Sequence, residues 1–364
     1  MPFPSIVQLP PNRVRRTYQG GEILDAIETG TQGVDGNRPE DWIGSCTPSV
    51  NPGMEAIADE GLSRLADGSS LAACIAANPE AVLGRSVEPR PRFLLKLLDA
   101  AVRLPMQAHP TSVFARERLG KPFGKFEAYV VLSVRPGSPG NLLLGFQRPP
   151  TKAEWRRIVL EQDLTAMHAC FDPIPVTPGE VWIVPGGLPH AIGAGLTLIE
   201  AMEPSDLVVR CEASGPGINV PPTARYMGVD PDLALEIFDF TPWPLEAVKA
   251  KLRCTPRQIR QGPGWTEDEL VGLGHTPCFT LTRHTVRTSC TIPLEKRLHI
   301  GVVTAGIGII SAEGQTVKVR PGSRLLLPAK TQALDFIIEE NPLTIVWCHE
   351  ERMAHDKPNQ EGIP

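Results

Sequence analysis

Short apolar runs separated by turn residues dominate this chain. The runs Leu94-Leu95-Lys96-Leu97-Leu98, Tyr129-Val130-Val131-Leu132, Val181-Trp182-Ile183-Val184 and Leu325-Leu326-Leu327 are too short for ordinary helices and read as buried strands. Proline (38) and glycine (33) make up nearly a fifth of the 364 residues and recur between these runs, the texture of a turn-rich β protein. Against that background three helical patches stand out. Met54 to Leu83, broken by Gly61, Gly68 and Pro79, predicts two or three short helices. Thr151 and Glu154 form a capping box ahead of Trp155, Ile158 and Val159 on one face. Pro231 and Pro244 each stand at a first helical position, ahead of Leu233 to Phe238 and of Leu245 to Leu252. The pattern predicts a β scaffold with helical inserts near 54–84 and 151–170.

Two segments share one frame. From Gly179 to His190 the chain reads glycine, five residues, proline, any, glycine, any two, histidine, which is the cupin pattern. Pro185 and Gly187 suit a tight turn, and His190 opens the next strand, where it can point inward. The bland alternative is a satisfied core histidine. Gly322 to Ala333 repeats the frame, but Lys330 replaces the second glycine and Ala333 the histidine. That segment reads either as a second cupin barrel without a metal site or as a plain strand pair with a proline turn.

Partners for His190 lie upstream. Gln107 and His109 are two apart and share a face if the segment is extended, and Glu127 leads the next apolar strand. Two imidazoles, a carboxylate and an amide oxygen suit one divalent metal, zinc first, with iron, manganese or cobalt as alternatives.

At this point the chain resembles the class I (cupin-type) mannose-6-phosphate isomerases. Arg92 to Ala100 followed by Gln107-Ala108-His109-Pro110 is similar to the family's first block, Gly124-Lys125-Phe126-Glu127 to its second, and Val184 to Arg210 to its third. Pro39-Glu40-Asp41-Trp42 is a fainter echo. The resemblance implies a mainly β fold, a double cupin of jelly-roll β-barrels with short helical insertions. It implies a metal-bearing domain over 1–240 and a cupin-like domain over 241–364 that lacks metal ligands. By the same resemblance Gln107, His109, Glu127 and His190 are the metal ligands, and Lys96, Lys125, Asp206 and Arg210 line the pocket.

The formal net charge of −5 and the lack of a basic block speak against nucleic acid or an anionic membrane as the main partner, and favour a sugar or sugar phosphate. No apolar run has signal-peptide or membrane-spanning length, so a cytoplasmic protein is expected. The eight cysteines include no Cys-x-x-Cys pair and suggest no disulfide framework.

Aldose–ketose isomerisation needs a base for the proton beside a carbonyl and positive charge for the oxygens. Lys96 or Lys125 would serve as base if the metal and Arg210 lower the amine pKa; the alternative is lysines snorkelling at strand ends. Glu200, in an apolar run where burial raises a carboxyl pKa, is a third candidate, or else it orients a ligand. The fork of Arg210 matches phosphate or enediolate oxygens, with Asp206 holding it if 206, 208 and 210 share a strand face; a surface ion pair is the alternative. Two departures stand out. Pro105 occupies the place where the family commonly has a serine linked with phosphate binding, and Cys211 to Gly217 replaces its Tyr-Asp-aromatic continuation. The leading expectation is a metal-dependent isomerase interconverting mannose 6-phosphate and fructose 6-phosphate or a closely related sugar. Its rivals are a non-catalytic sugar-binding cupin regulator and a metal-dependent cupin oxidoreductase.

Overall fold

Proline and glycine turns join the apolar runs into three large antiparallel sheets in the computed structural model, which describes residues 3–350. One seven-stranded sheet runs in the order Arg253–Cys254, Val181–Val184, Glu127–Val134, Leu196–Met202, Leu94–Asp99, Glu40–Ile43, Arg13–Val14. A five-stranded sheet has the order Val209–Arg210, Gln107–Ala108, His190–Ile192, Asn141–Leu144, Ile174–Pro175. Its residues Leu142, Leu144 and Ile192 share a core with Leu97, Val130 and Leu198 of the larger sheet. Its opposite face, through Leu143, Ala191, Ala108 and Val209, packs on Trp155, Ile158 and Val159 of the helix Lys152–Glu161. Alternation along each strand explains this division, since neighbouring residues face opposite sides.

The remaining sheet has nine strands and takes most of its residues from Arg257 to His349, with Val7–Gln8 added at its edge against Leu325 and Leu326. Trp265, Val286, Phe336, Ile345 and Trp347 fill one face. Leu281, Ile300, Val302 and Val346 on the other belong to the core of the first two sheets. The chain is thus mainly β, as the pattern predicts. The second frame takes the form of a strand, Arg324–Leu327, a turn through Pro328, and a strand from Ala333. Residues 351–364, the end of the expected second domain, lie outside the described residues.

The helical patches need correction in detail. Within Met54 to Leu83 only Leu71–Ala77 and Pro79–Leu83 are helical. Gly53, Gly61 and Gly68 all have positive φ, which stops a helix before residue 70. The Thr151–Glu154 capping box is formed as expected. Pro231 opens a helix that ends at Leu235, short of Phe238, and Pro244 is the N-cap before Leu245–Leu252 and not its first residue.

Candidate metal centre

A polar row crosses the seven-stranded sheet. Trp42 stands opposite Lys96, Lys96 opposite Glu200, Glu200 opposite Tyr129, and Tyr129 opposite Trp182. Cross-strand partners share a face, so three ionisable side chains are held side by side between two tryptophans. Glu127, two residues before Tyr129, leads its strand toward the same end.

Its partners come from the facing sheet, where His190 stands opposite Gln107 and Gln107 opposite Arg210. The turn before His190 is locked onto the segment that carries His109: Gly187, with φ of 88°, donates its N–H to the His109 carbonyl at 2.7 Å. The ligating atoms of His109, Glu127 and His190 converge within 4.8 Å of one another, all buried. His109 Nε2 is 3.1 Å from Glu127 Oε1, and His190 Nε2 is 3.5 Å from Glu127 Oε2. The Gln107 side-chain amide reaches His190 Nε2 at 3.3 Å.

Both imidazoles are oriented from behind. His109 Nδ1 lies 2.8 Å from the Leu207 carbonyl and His190 Nδ1 2.8 Å from the Leu188 carbonyl. A carbonyl only accepts, so each Nδ1 carries the proton and each Nε2 turns a lone pair toward Glu127. Burial lowers the pKa of both rings, that of His109 to about 3, which keeps them neutral as metal ligands must be. Burial works against the charge of Glu127, yet its charged surroundings, the Lys125 ammonium among them, outweigh that cost and hold its carboxyl well below the usual range. Tyr129 donates its hydroxyl to Oε2, while Oε1 faces Lys125 Nζ at 2.8 Å off the line a hydrogen bond needs. A buried carboxylate oxygen without a hydrogen bond beside two neutral imidazoles fits a divalent metal.

Around this cluster lie the other candidates. Lys96 Nζ is 2.9 Å from Glu200 and 3.3 Å from Glu40. Burial works against its charge, but these carboxylates prevail and raise its pKa, contrary to the fall expected for a lysine base. Glu200 behaves as expected: burial, only partly offset by Lys96, pushes it up to about 8. Arg210 is buried, with its pKa drawn down to about 10 by that burial, and donates Nη1 to the Ala224 carbonyl at 2.8 Å. Asp206 corrects the expected geometry. The strand covers only Val209–Arg210, and Asp206 pairs instead with Arg16, both nitrogens at 3.1 Å, and accepts from the Val50 N–H.

Two pocket residues, Arg16 and Tyr18, have no motif to announce them, and a third, Glu40, lies in the Pro39 to Trp42 segment that the resemblance marked only faintly. Arg16 and Tyr18 come from an irregular N-terminal segment, and Glu40 opens a strand that is buried throughout. Glu40 collects Tyr18 Oη at 2.7 Å, Trp42 Nε1 at 2.8 Å and Arg16 Nε at 2.9 Å. The Glu40-Asp41 acid pair directly before Trp42 and Ile43, in a strand that is buried throughout, is a further sequence signal that points here.

No family model matches the chain. It is 33% identical over 118 residues to the mannose-6-phosphate isomerase of Streptococcus mutans, a match covering 32% of this chain and 35% of that relative, so it spans about a third of that protein's length. Over 243 residues it is 29% identical to the protein named probable mannose-6-phosphate isomerase GmuF of Bacillus subtilis, covering 65% and 69%. The crystal structure of the mannose 6-phosphate isomerase from Bacillus subtilis superposes with a TM-score of 0.71 at 20% identity, over 95% of this chain and all of that one. The chain therefore has the fold of the phosphomannose isomerases, and its curated relatives in sequence are mannose-6-phosphate isomerases.

Proposed function

We propose that this protein is a metal-dependent aldose–ketose isomerase, an intramolecular oxidoreductase that interconverts mannose 6-phosphate and fructose 6-phosphate or a closely related sugar in the cytoplasm. The convergence of His109, Glu127 and His190 beside Gln107, at a pocket bordered by Lys96, Glu200 and Arg210, carries the reading. The similarity to mannose-6-phosphate isomerases supports it. The metal-bearing part is 1–240, with 241–364 as a companion domain.

Gln107, His109, Glu127 and His190 would hold one divalent ion, zinc first. When bound it supplies positive charge to the carbonyl and hydroxyl oxygens of C1 and C2. In the aldose-to-ketose direction one proton leaves C2 and one returns to C1, while the O2 proton is lost and O1 gains one, so the formula is unchanged. Glu200, with a pKa of about 8, exchanges a proton with carbon near neutral pH, where a base of that strength works well. Lys96 holds the Glu200 carboxyl in place. The Arg210 fork directs two or more donors at the sugar oxygens as charge builds on them.

The test is conversion of mannose 6-phosphate, mannose and other aldoses in heavy water by metal-analysed protein, with deuterium at C1 of the ketose and loss of activity on chelation as the expected results. His190→Ala should bind the metal at least about 100-fold more weakly, since too few protein donors remain. Sugar binding without conversion would mark a regulator, and oxygen consumption an oxidoreductase; either overturns the proposal.

A further inference from the structure

Nearly every cation bordering the pocket is already matched by a carboxylate. Arg16 is held by Asp206 and Glu40 and Lys96 by Glu40 and Glu200, while Lys125 lies against Glu127, the carboxylate proposed to hold the metal. Behind Pro105, Arg103 is 2.7 Å from Glu212, which also accepts the Met106 N–H at 2.8 Å; Pro105 has no N–H to offer. Arg210 is the exception, with no ion pair to a carboxylate among the described residues. It stands opposite Gln107, so its charge lies at the metal end of the pocket.

Arg16 and Tyr18 border a second, outer space of about 320 Å³. Thr17, Gln19, Asn37 and Asn219 line it, and the three amides are exposed. Among the described residues Arg16 is the one cation on its wall, and that guanidinium is spent on two carboxylates and Asn51. A phosphate dianion held here would find no unpaired cation on the wall among the described residues, and so no charge-assisted donor to favour it. Sugar hydroxyls, which both donate and accept, match amides well.

We propose that the substrate's end away from the reacting carbons is uncharged, so that this enzyme selects a free aldose over its 6-phosphate, with Gln19, Asn37 and Asn219 meeting the distal hydroxyls. The inference rests on the isomerase reading for its chemistry, but the recognition it describes can be measured without turnover.

Two measurements on the metal-loaded full chain test it together: catalytic efficiency with mannose and with mannose 6-phosphate, and calorimetric binding of mannitol and of its monophosphate. Expected are an efficiency on mannose at least equal to that on the phosphate and no tighter binding of the phosphorylated alcohol. Gln19→Lys should shift both ratios toward the phosphorylated form by about 10-fold or more, the effect of adding one charge-assisted contact, with metal content unchanged. A preference of more than 10-fold for either phosphorylated compound in the natural protein overturns the proposal, as does failure to bind either alcohol. Mannitol bound at least as well as its monophosphate with neither sugar converted would sink the isomerase reading while the selectivity stands.

Discussion

Arg210 and His190 flank the same glutamine on neighbouring strands, yet the proposed function gives them different work. His190 belongs to the converging triad, whereas Arg210 is no part of it and borders the pocket with its Nη1 on the Ala224 carbonyl. Arg210→Ala should therefore leave metal content and thermal unfolding close to those of the natural protein. Its catalytic efficiency should fall by about 30-fold to 1000-fold, the equivalent of about 2–4 kcal/mol of lost charge stabilisation. Arg210→Lys should be nearly as poor, because an ammonium keeps the charge and loses the planar fork. Steady-state kinetics at fixed metal loading checks this, and an Arg210→Ala enzyme with ordinary kinetics rules the role out. At this scale the four ligand candidates were legible because ligand types at strand spacing leave a local trace. Arg16 and Tyr18 left none, since they meet Glu40 and Asp206 only through tertiary packing. The direction of the Lys96 shift was illegible for the same reason: it depends on Glu200 and then Glu40, which lie on different strands and far away in sequence.

Elements bring these side chains together through the turn after Val184. Gly187 supplies the positive φ, but Gly186 is the closer contact. A Cβ there would lie 2.8 Å from Thr111 Cα and 2.9 Å from the Pro110 carbonyl, both backbone, with no flexible side chain to yield. Gly186→Ala should thus push the turn off the His109–Pro110 segment, costing about 1–3 kcal/mol as overpacking does and weakening metal binding as His109 and His190 separate. Chemical denaturation and a metal titration on the same variant check both effects; unchanged stability would mean that the turn has room to spare. The frame from Gly179 to His190 was readable because glycine, proline and histidine each hold a position that only a few residues tolerate. The helices were less readable. The capping box at Thr151 is a reciprocal pair of bonds within four residues and formed as expected, while the stretch before Leu71 has helix-forming letters but glycines at positive φ.

Over the whole molecule, the mainly β plan follows from strand-length apolar runs, but the packing of the nine-stranded sheet against the seven- and five-stranded sheets and the crossing of Val7–Gln8 into it follow from no local pattern. Neither does the polar interior of that sheet. His299 and His349 stand opposite each other there, their rings 4.6 Å apart, both buried. Burial lowers the pKa of each, His299 to about 3, with Arg297 adding to the effect; the His299 Nε2 bond to the Glu295 carbonyl opposes it without prevailing. An unfolded histidine titrates near about 6.5. Between those values the unfolded chain binds a proton that the native protein refuses, so stability is complete above about pH 6.5 and falls as the pH drops toward 3. The loss is about 1.4 kcal/mol per pH unit for each such histidine once well below 6.5, which for His299 amounts to a few kcal/mol by pH 4.5. The same logic applies to His109 and His190, but bound metal would mask it, so the measurement belongs in the nine-stranded sheet. His299→Gln cannot take up that proton, and its unfolding free energy should fall less steeply between pH 6.5 and 4.5, by up to about 1.4 kcal/mol per unit, whatever its stability at pH 7. Denaturant titrations of metal-loaded protein across this range give the slope directly. Equal slopes for the two proteins would mean that His299 takes up its proton in the folded state and that its burial costs less than the packing implies.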